Sequence, residues 1–309
     1  MAYLFLFLSL AALAIKGYWG KKTSNQMRQV SDSFLFNLVR AVICCVIGVV
    51  PLLLDGAFFL PVPPMLLICL FGGVSTALFL ACWILAVRTI SYAVVDVALA
   101  MGALLPALLC AILFQEPLAP FKMLGMAIVV GSIFILTDFQ KSPSQKKSLS
   151  AVLLVVLAAV GEGLSSFSQQ LYRRYFGEGA ALSYPKSVYN FYLYVFAALA
   201  LLLFYTVAVF AAKKKGSAPF SVKEQLFSLK KPFFYILGMA VCLYLATYFQ
   251  TVATGDYGMS AQILYPVLKG GSLITSNIIT ISCFGDKLTV RRGVGMAVAL
   301  AGILIINLL

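Results

Sequence analysis

Apolar runs of roughly bilayer-crossing length follow one another along this chain, broken only by brief clusters of charge, proline and glycine. A helical crossing takes ~20 apolar residues, so the pattern predicts membrane-spanning helices rather than alternating strands. The runs fall near 2–20, 33–54, 65–87, 92–114, 119–137, 149–171, 184–211, 233–252, 258–283 and 289–308. Turn chemistry marks the breaks: Gly20-Lys-Lys-Thr-Ser, Pro61-Val-Pro-Pro, Gln115-Glu-Pro-Leu-Ala-Pro and Lys141-Ser-Pro-Ser-Gln-Lys-Lys. The longest connection, Lys213 to Lys231, carries a short amphipathic stretch at Val222–Leu229 that suits the membrane surface. All other connections are short, which leaves no room for a soluble domain. The first run lacks a basic leader, so it reads as a mature helix and not a signal peptide.

Composition narrows the class further. Over 309 residues the chain is 62% hydrophobic and 11% charged, with mean hydropathy +1.00, where a soluble domain is roughly half apolar and about a quarter charged. A soluble enzyme, a disordered chain and a disulfide-stapled secreted domain are excluded. The expected fold class is an all-α integral membrane protein of about ten transmembrane helices. Absence of histidine excludes a histidine triad or histidine metal site. The seven cysteines sit inside apolar runs without ligand spacing and read as small hydrophobes. The net charge of +13 reads as basic loops rather than a nucleic-acid surface. Counted together with the first residues of the run that follows, connections after odd-numbered runs hold sixteen Lys and Arg against four after even-numbered runs. The positive-inside rule then puts the odd connections in the cytoplasm and both termini outside, across a bacterial-type plasma membrane.

The chain also echoes itself. Phe114-Gln-Glu-Pro-Leu118 and Gly125-Met-Ala127 run in step with Phe284-Gly-Asp-Lys-Leu288 and Gly295-Met-Ala297. Upstream, Leu78-Phe-Leu-Ala81 echoes Leu243-Tyr-Leu-Ala246, and Leu10-Ala-Ala echoes Leu157-Ala-Ala. Three echoes in one order predict two five-helix repeats, residues 1–140 and 149–309, and an odd number of crossings per repeat makes them inverted. The glycine repeats of the fifth and tenth runs, Gly125 to Gly131 and Gly295 to Gly302, suit packing of those two helices on each other.

This plan, with an F-x-[ED]-x-L turn before a glycine-rich last helix in each half, resembles the drug/metabolite transporter superfamily, in particular its EamA-type members. Ala159-Val-Gly-Glu162-Gly-Leu-Ser-Ser looks like the first helix of small multidrug resistance transporters, where an intramembrane Glu couples protons and cations. Val267-Leu-Lys269-Gly270 looks like the ninth helix of nucleotide-sugar and sugar-phosphate transporters, where a lysine faces the substrate cavity. The first half departs from both: Ile15 sits opposite Glu162, and no lysine answers Lys269.

Five ionisable residues lie within runs: Lys16, Arg40, Asp96, Glu162 and Lys269. Each costs ~2.5–3.5 kcal/mol at mid-helix on insertion scales and so marks function unless it snorkels. Lys16 and Arg40 lie near run ends and are expected to reach the headgroups; Asp96, four residues into its run, divides evenly between snorkelling and the site. Glu162 and Lys269 lie too deep. Glu162, Ser165, Ser166 and Gln169 share one helix face, and Gln262, Tyr265, Lys269, Ser272 and Ser276 share another. Ser187, Asn190 and Tyr194 form a third stripe, and Tyr244, Thr247, Tyr248 and Thr251 a fourth. Such stripes are costly against lipid and predict a common water-accessible cavity. From the first half, Asn37, Ser75, Thr76, Phe79 and Trp83 are candidates, with Phe79 and Trp83 as an aromatic wall, so specificity is expected mainly from residues after about 150.

The expected function is a secondary-active transporter or exchanger of a small polar or zwitterionic metabolite, such as an amino acid or organic ion, working by alternating access and coupled to protons. The alternative is a facilitative exchanger of a phosphorylated or carboxylate metabolite, and a lipid scramblase or membrane enzyme stands further off. No nucleotide-binding motif appears. Cofactors and nucleic acid are not expected; the partners are the lipid bilayer and the solute, with the chain a monomer or weak homodimer.

Overall fold

The computed structural model describes residues 1–24, 30–57, 60–89, 104–115, 120–136, 149–214, 233–284 and 290–308, with Val95, Leu99 and Gly102 described singly. Asp96, the Val222–Leu229 stretch and the turns bearing Glu116 and Asp286 lie outside the described residues. Ten helices are described: α1 Ala2–Ser24, α2 Val30–Leu54, α3 Pro63–Thr89, α4 Leu104–Phe114, α5 Pro120–Leu136, α6 Leu149–Phe176, α7 Lys186–Lys214, α8 Phe233–Gly255, α9 Ala261–Phe284 and α10 Val290–Leu308. No strand occurs among the described residues. In lipid every backbone donor needs an internal partner, and a continuous helix is the local solution for an apolar run.

Six of these helices, α1, α2, α3, α6, α7 and α8, carry segments long and apolar enough to cross a membrane. The chain is an all-α membrane protein. The remaining four do not meet that measure over the described residues, although apolar segments 105–114, 123–132 and 293–302 lie within α4, α5 and α10. The end of α2 shows how a run is stopped. Gly56 adopts a left-handed conformation (φ 61°), which lets the Ala57 amide reach the Leu52 carbonyl and the Gly56 amide reach the Leu53 carbonyl, each at 3.1 Å. Those bonds satisfy carbonyls that the helix leaves open, and glycine takes this conformation without a Cβ clash.

The helices pack as follows: α3 lies against α6 and α7, α2 against α7 and α8, α1 against α8 and α9, α4 against α6 and α9, and α5 against α10. Glycine sets the closest approaches. A Cβ on Gly161 would come within 2.7 Å of the Phe79 amide nitrogen, so α6 meets the α3 backbone itself there. Gly302 likewise rests on the backbone of Gly125 and Val129, drawing α10 onto α5, whereas Gly131 has nothing within 4 Å among the described residues.

Connections after α2, α6 and α8 meet at one end of the bundle. There the Ser187 hydroxyl donates to Asp55 (2.6 Å), Lys186 pairs with Asp256, and the Val62 amide donates to the Tyr184 hydroxyl (3.2 Å). At the other end the C-terminal turn of α1 meets the start of α8 through Thr23 and Met239, and Arg291 at the start of α10 donates to the Ile135 carbonyl near the end of α5 (2.9 Å). Of the six described cysteines, Cys44, Cys69, Cys82, Cys110 and Cys242 are buried and Cys45 is half-buried.

Candidate functional site

Glu162 lies near the middle of α6, flanked by Gly161 and Gly163, and the bare backbone there lets α3 and α4 close in. A Cβ on Gly163 would come within 2.6 Å of the Gly102 carbonyl. Lys269 comes to the same point from α9, one turn beyond Pro266, and its ammonium forms an ion pair with the Glu162 carboxylate. Both side chains are mostly enclosed, at 15% and 16% exposure. Glu162 Oε1 takes the ammonium, while Oε2 is buried with no hydrogen-bond partner among the described residues.

The rest of the predicted α6 and α9 stripes gathers around this pair. The Tyr265 hydroxyl donates to the Ser166 carbonyl (2.6 Å), lies 3.1 Å from Gln169 Oε1 and accepts from Gln170 Nε2 (3.3 Å). Ser165 turns the other way and shares a 2.7 Å hydroxyl contact with Thr76 of α3. Ser272 donates back to the Lys269 carbonyl (3.0 Å), which holds its hydroxyl on its own helix. Gln262 is buried, and the Ser276 side chain lies outside the described residues.

A second polar group forms between α7 and α8. The Tyr194 hydroxyl lies 2.7 Å from Thr247 Oγ1, and Thr251 donates to Asn190 Oδ1 (3.4 Å). Tyr244 stacks on Tyr248 with centroids 6.0 Å apart, and Tyr194 meets Tyr244 at 5.8 Å. The Tyr244 hydroxyl is buried without a partner. The structure therefore sorts the four stripes into two groups, α6 with α9 and α7 with α8.

Two basic residues expected at the headgroups lie elsewhere. Arg40 is completely buried and Lys16 is 8% exposed, so neither snorkels. Helix α2 begins at Val30, which carries Arg40 inward by about 15 Å at 1.5 Å per residue. Both cations lie near Trp83, with the Arg40 guanidinium 5.9 Å and the Lys16 ammonium 6.0 Å from its ring; Lys16 also lies 5.4 Å from the Phe79 ring. The Arg40 Nε, Nη1 and Nη2 atoms find no hydrogen-bond partner among the described residues. The first half is therefore not the plain half. A signal for this was present in the sequence: Ser33, Asn37, Arg40, Cys44 and Gly48 recur at helical spacing, and all five are buried. Tyr189 was also missed; its hydroxyl lies 2.6 Å from Ser168 Oγ and its ring stacks on Tyr172 at 4.8 Å.

Fold and site together define a helical membrane protein with a buried ion pair and a separate buried guanidinium. No family model matches the chain, and no curated protein matches it. A crystallised protein of 15% identity superposes on 99% of this chain and 96% of its own, with a TM-score of 0.74. At that identity the likeness speaks for the fold alone.

Proposed function

We propose that this chain is a secondary transporter that moves a small polar metabolite across the membrane by alternating access, with Glu162 as the proton-coupling group. The observation that carries the reading is the enclosed Glu162–Lys269 pair with its second carboxylate oxygen unpartnered. A lock between two helices needs no spare acceptor. A coupling carboxylate does, because it must exchange the lysine for a proton or a solute cation as the cavity changes sides. Protonation at Glu162 would release Lys269, and Tyr265, Gln169 and Ser166 one turn away offer polar groups near mid-membrane, where inverted-repeat transporters bind their solutes.

Helix pairing supports the inverted five-plus-five arrangement, residues 1–140 and 149–309, that alternating access of this kind uses. Exchanging each helix with the one five places along turns α3 on α6 into α8 on α1, α3 on α7 into α8 on α2, and α4 on α6 into α9 on α1. Every one of these contacts is present, and α2 on α7, α4 on α9 and α5 on α10 map onto themselves. The same reading keeps the odd-numbered connections in the cytoplasm of a bacterial-type plasma membrane, needs no cofactor, and works as a monomer or weak homodimer.

Purified protein in liposomes, given a pH gradient and a panel of amino acids, organic cations and organic anions, tests the proposal. Wild type should accumulate at least one class, and Glu162→Gln should lose accumulation yet retain exchange. Accumulation by Glu162→Gln at the wild-type level would remove Glu162 from coupling. Lipid scrambling without solute flux would favour the scramblase reading. A facilitative exchanger of a carboxylate or phosphorylated metabolite remains the second reading, favoured by the buried guanidinium of Arg40.

A further inference from the structure

We propose that Arg40, with Lys16 and Trp83 beside it, forms an oxyanion-binding site inside the helix bundle that takes the carboxylate or phosphoryl group of a small organic solute. Arg40 has no exposed surface, and all three of its guanidinium nitrogens lack a partner among the described residues. The guanidinium stays protonated in proteins and carries five donors in a planar fork that fits two oxygens of one anion. Burying such a group without an acceptor is among the most unfavourable arrangements a membrane helix can hold. The groups that act electrostatically on it are Cys44 and Tyr194, neither of them a carboxylate. Lys16 adds a second positive charge at the same Trp83 ring.

Two further orphan groups lie along the same face of α2. The Tyr244 hydroxyl is buried without a partner and sits beside Gly48, two turns from Arg40, where a Cβ would meet it at 3.6 Å. One turn in the other direction Asn37 spends its amide hydrogens on the Ser33 and Leu80 carbonyls (3.0 and 2.9 Å), which leaves its Oδ1 an unpartnered acceptor. A charged fork with an acceptor one turn away suits an oxyanion that carries a neighbouring hydroxyl or ammonium, with Trp83 as an apolar wall, while the Tyr244 hydroxyl lies further along the stripe. The site is distinct from the ion pair. On α3, Thr76 touches Ser165 near Glu162, whereas Trp83 lies two turns further along, roughly 10 Å at 1.5 Å per residue.

That this anion is the transported solute rests on the transport reading above; that it binds does not. Thermal melting of the purified full chain, at constant ionic strength, with acetate, benzoate, inorganic phosphate, phenyl phosphate and tetraethylammonium as probes, reads binding directly. At least one oxyanion should raise the melting temperature in a dose-dependent way, while tetraethylammonium should not. A response confined to the carboxylates assigns that group, and one confined to the phosphates assigns the other. Arg40→Met should weaken the response at least about tenfold without lowering the ligand-free melting temperature, Arg40→Lys should retain part of it, and Lys16→Met should weaken it less than Arg40→Met. The proposal is overturned if no oxyanion shifts the wild type, if Arg40→Met responds as wild type does, or if Arg40→Met fails to fold or melts lower without ligand. Oxyanion binding without solute flux would instead overturn the transport reading and leave this site standing.

Discussion

Glu162 and Lys269 answer each other across α6 and α9, whereas the Arg40 guanidinium on α2 lies against the Trp83 ring with no hydrogen-bond partner among the described residues. Both centres enclose positive charge, yet they place opposite demands on the fold. The pair is neutral as a unit, so removing either member exposes the cost of the other. Arg40 is already uncompensated, so its removal should relieve the protein. Burial alone thus does not tell a paired charge from a waiting one; the groups within reach of it do.

The largest expected effect tests that contrast. Lys269→Met alone leaves a buried carboxylate unpaired and should destabilise by about 3–5 kcal/mol, the range for an orphaned buried charge, whereas Glu162→Gln, which copies the protonated state the transport cycle passes through, should cost less. The double substitution should recover most of the loss, because no charge is left behind. Chemical denaturation of the detergent-solubilised protein measures all three, and a double variant as unstable as the singles together would break the comparison. The next effect sharpens it from the side of α3, the helix that touches both centres. Gly161→Val places a branched side chain against the Phe79 backbone and should cost about 1–3 kcal/mol by overpacking. Gly131→Val, with nothing within 4 Å, should be near neutral in the same assay.

The smallest effect comes from the same chemistry at the end of the bundle. Lys186 and Asp256 form an ion pair whose side chains are 26% and 32% exposed. Asp256→Asn should cost no more than about 1 kcal/mol, less still in high salt, because water compensates the lysine left behind. An effect as large as that of Lys269→Met would mean that depth is not what separates these pairs.

Much of this arrangement was legible in the sequence, for physical reasons that also explain the gaps. Glu162 and Lys269 stood out because each lies too far from a run end to reach water, and glycine flanks both. Tyr265 followed from helical spacing, but its bond to the Ser166 carbonyl needed the approach of α9 to α6, which no local pattern encodes. Arg40 was misjudged on a boundary. With the second run starting at 33 it lay within snorkelling reach, but a helix beginning at Val30 and packed between α7 and α8 leaves it no route to water. The division of the polar stripes into two groups depends on which helices neighbour which, and that is a property of the packed bundle. Asp96 and the Val222–Leu229 stretch lie outside the described residues.

The cysteine pattern has a practical consequence for finding the orientation of the chain. Five of the six described thiols are enclosed, and Cys45 is only half-exposed, on a helix apolar enough to cross a membrane. Water-soluble maleimides react with the thiolate, which forms poorly in apolar surroundings. Native background labelling from these six should therefore be low, and a single reporter cysteine placed after Leu309 or in the 213–231 connection should stand out. If the basic connections are cytoplasmic, an impermeant reagent added to intact cells should modify the first reporter and spare the second.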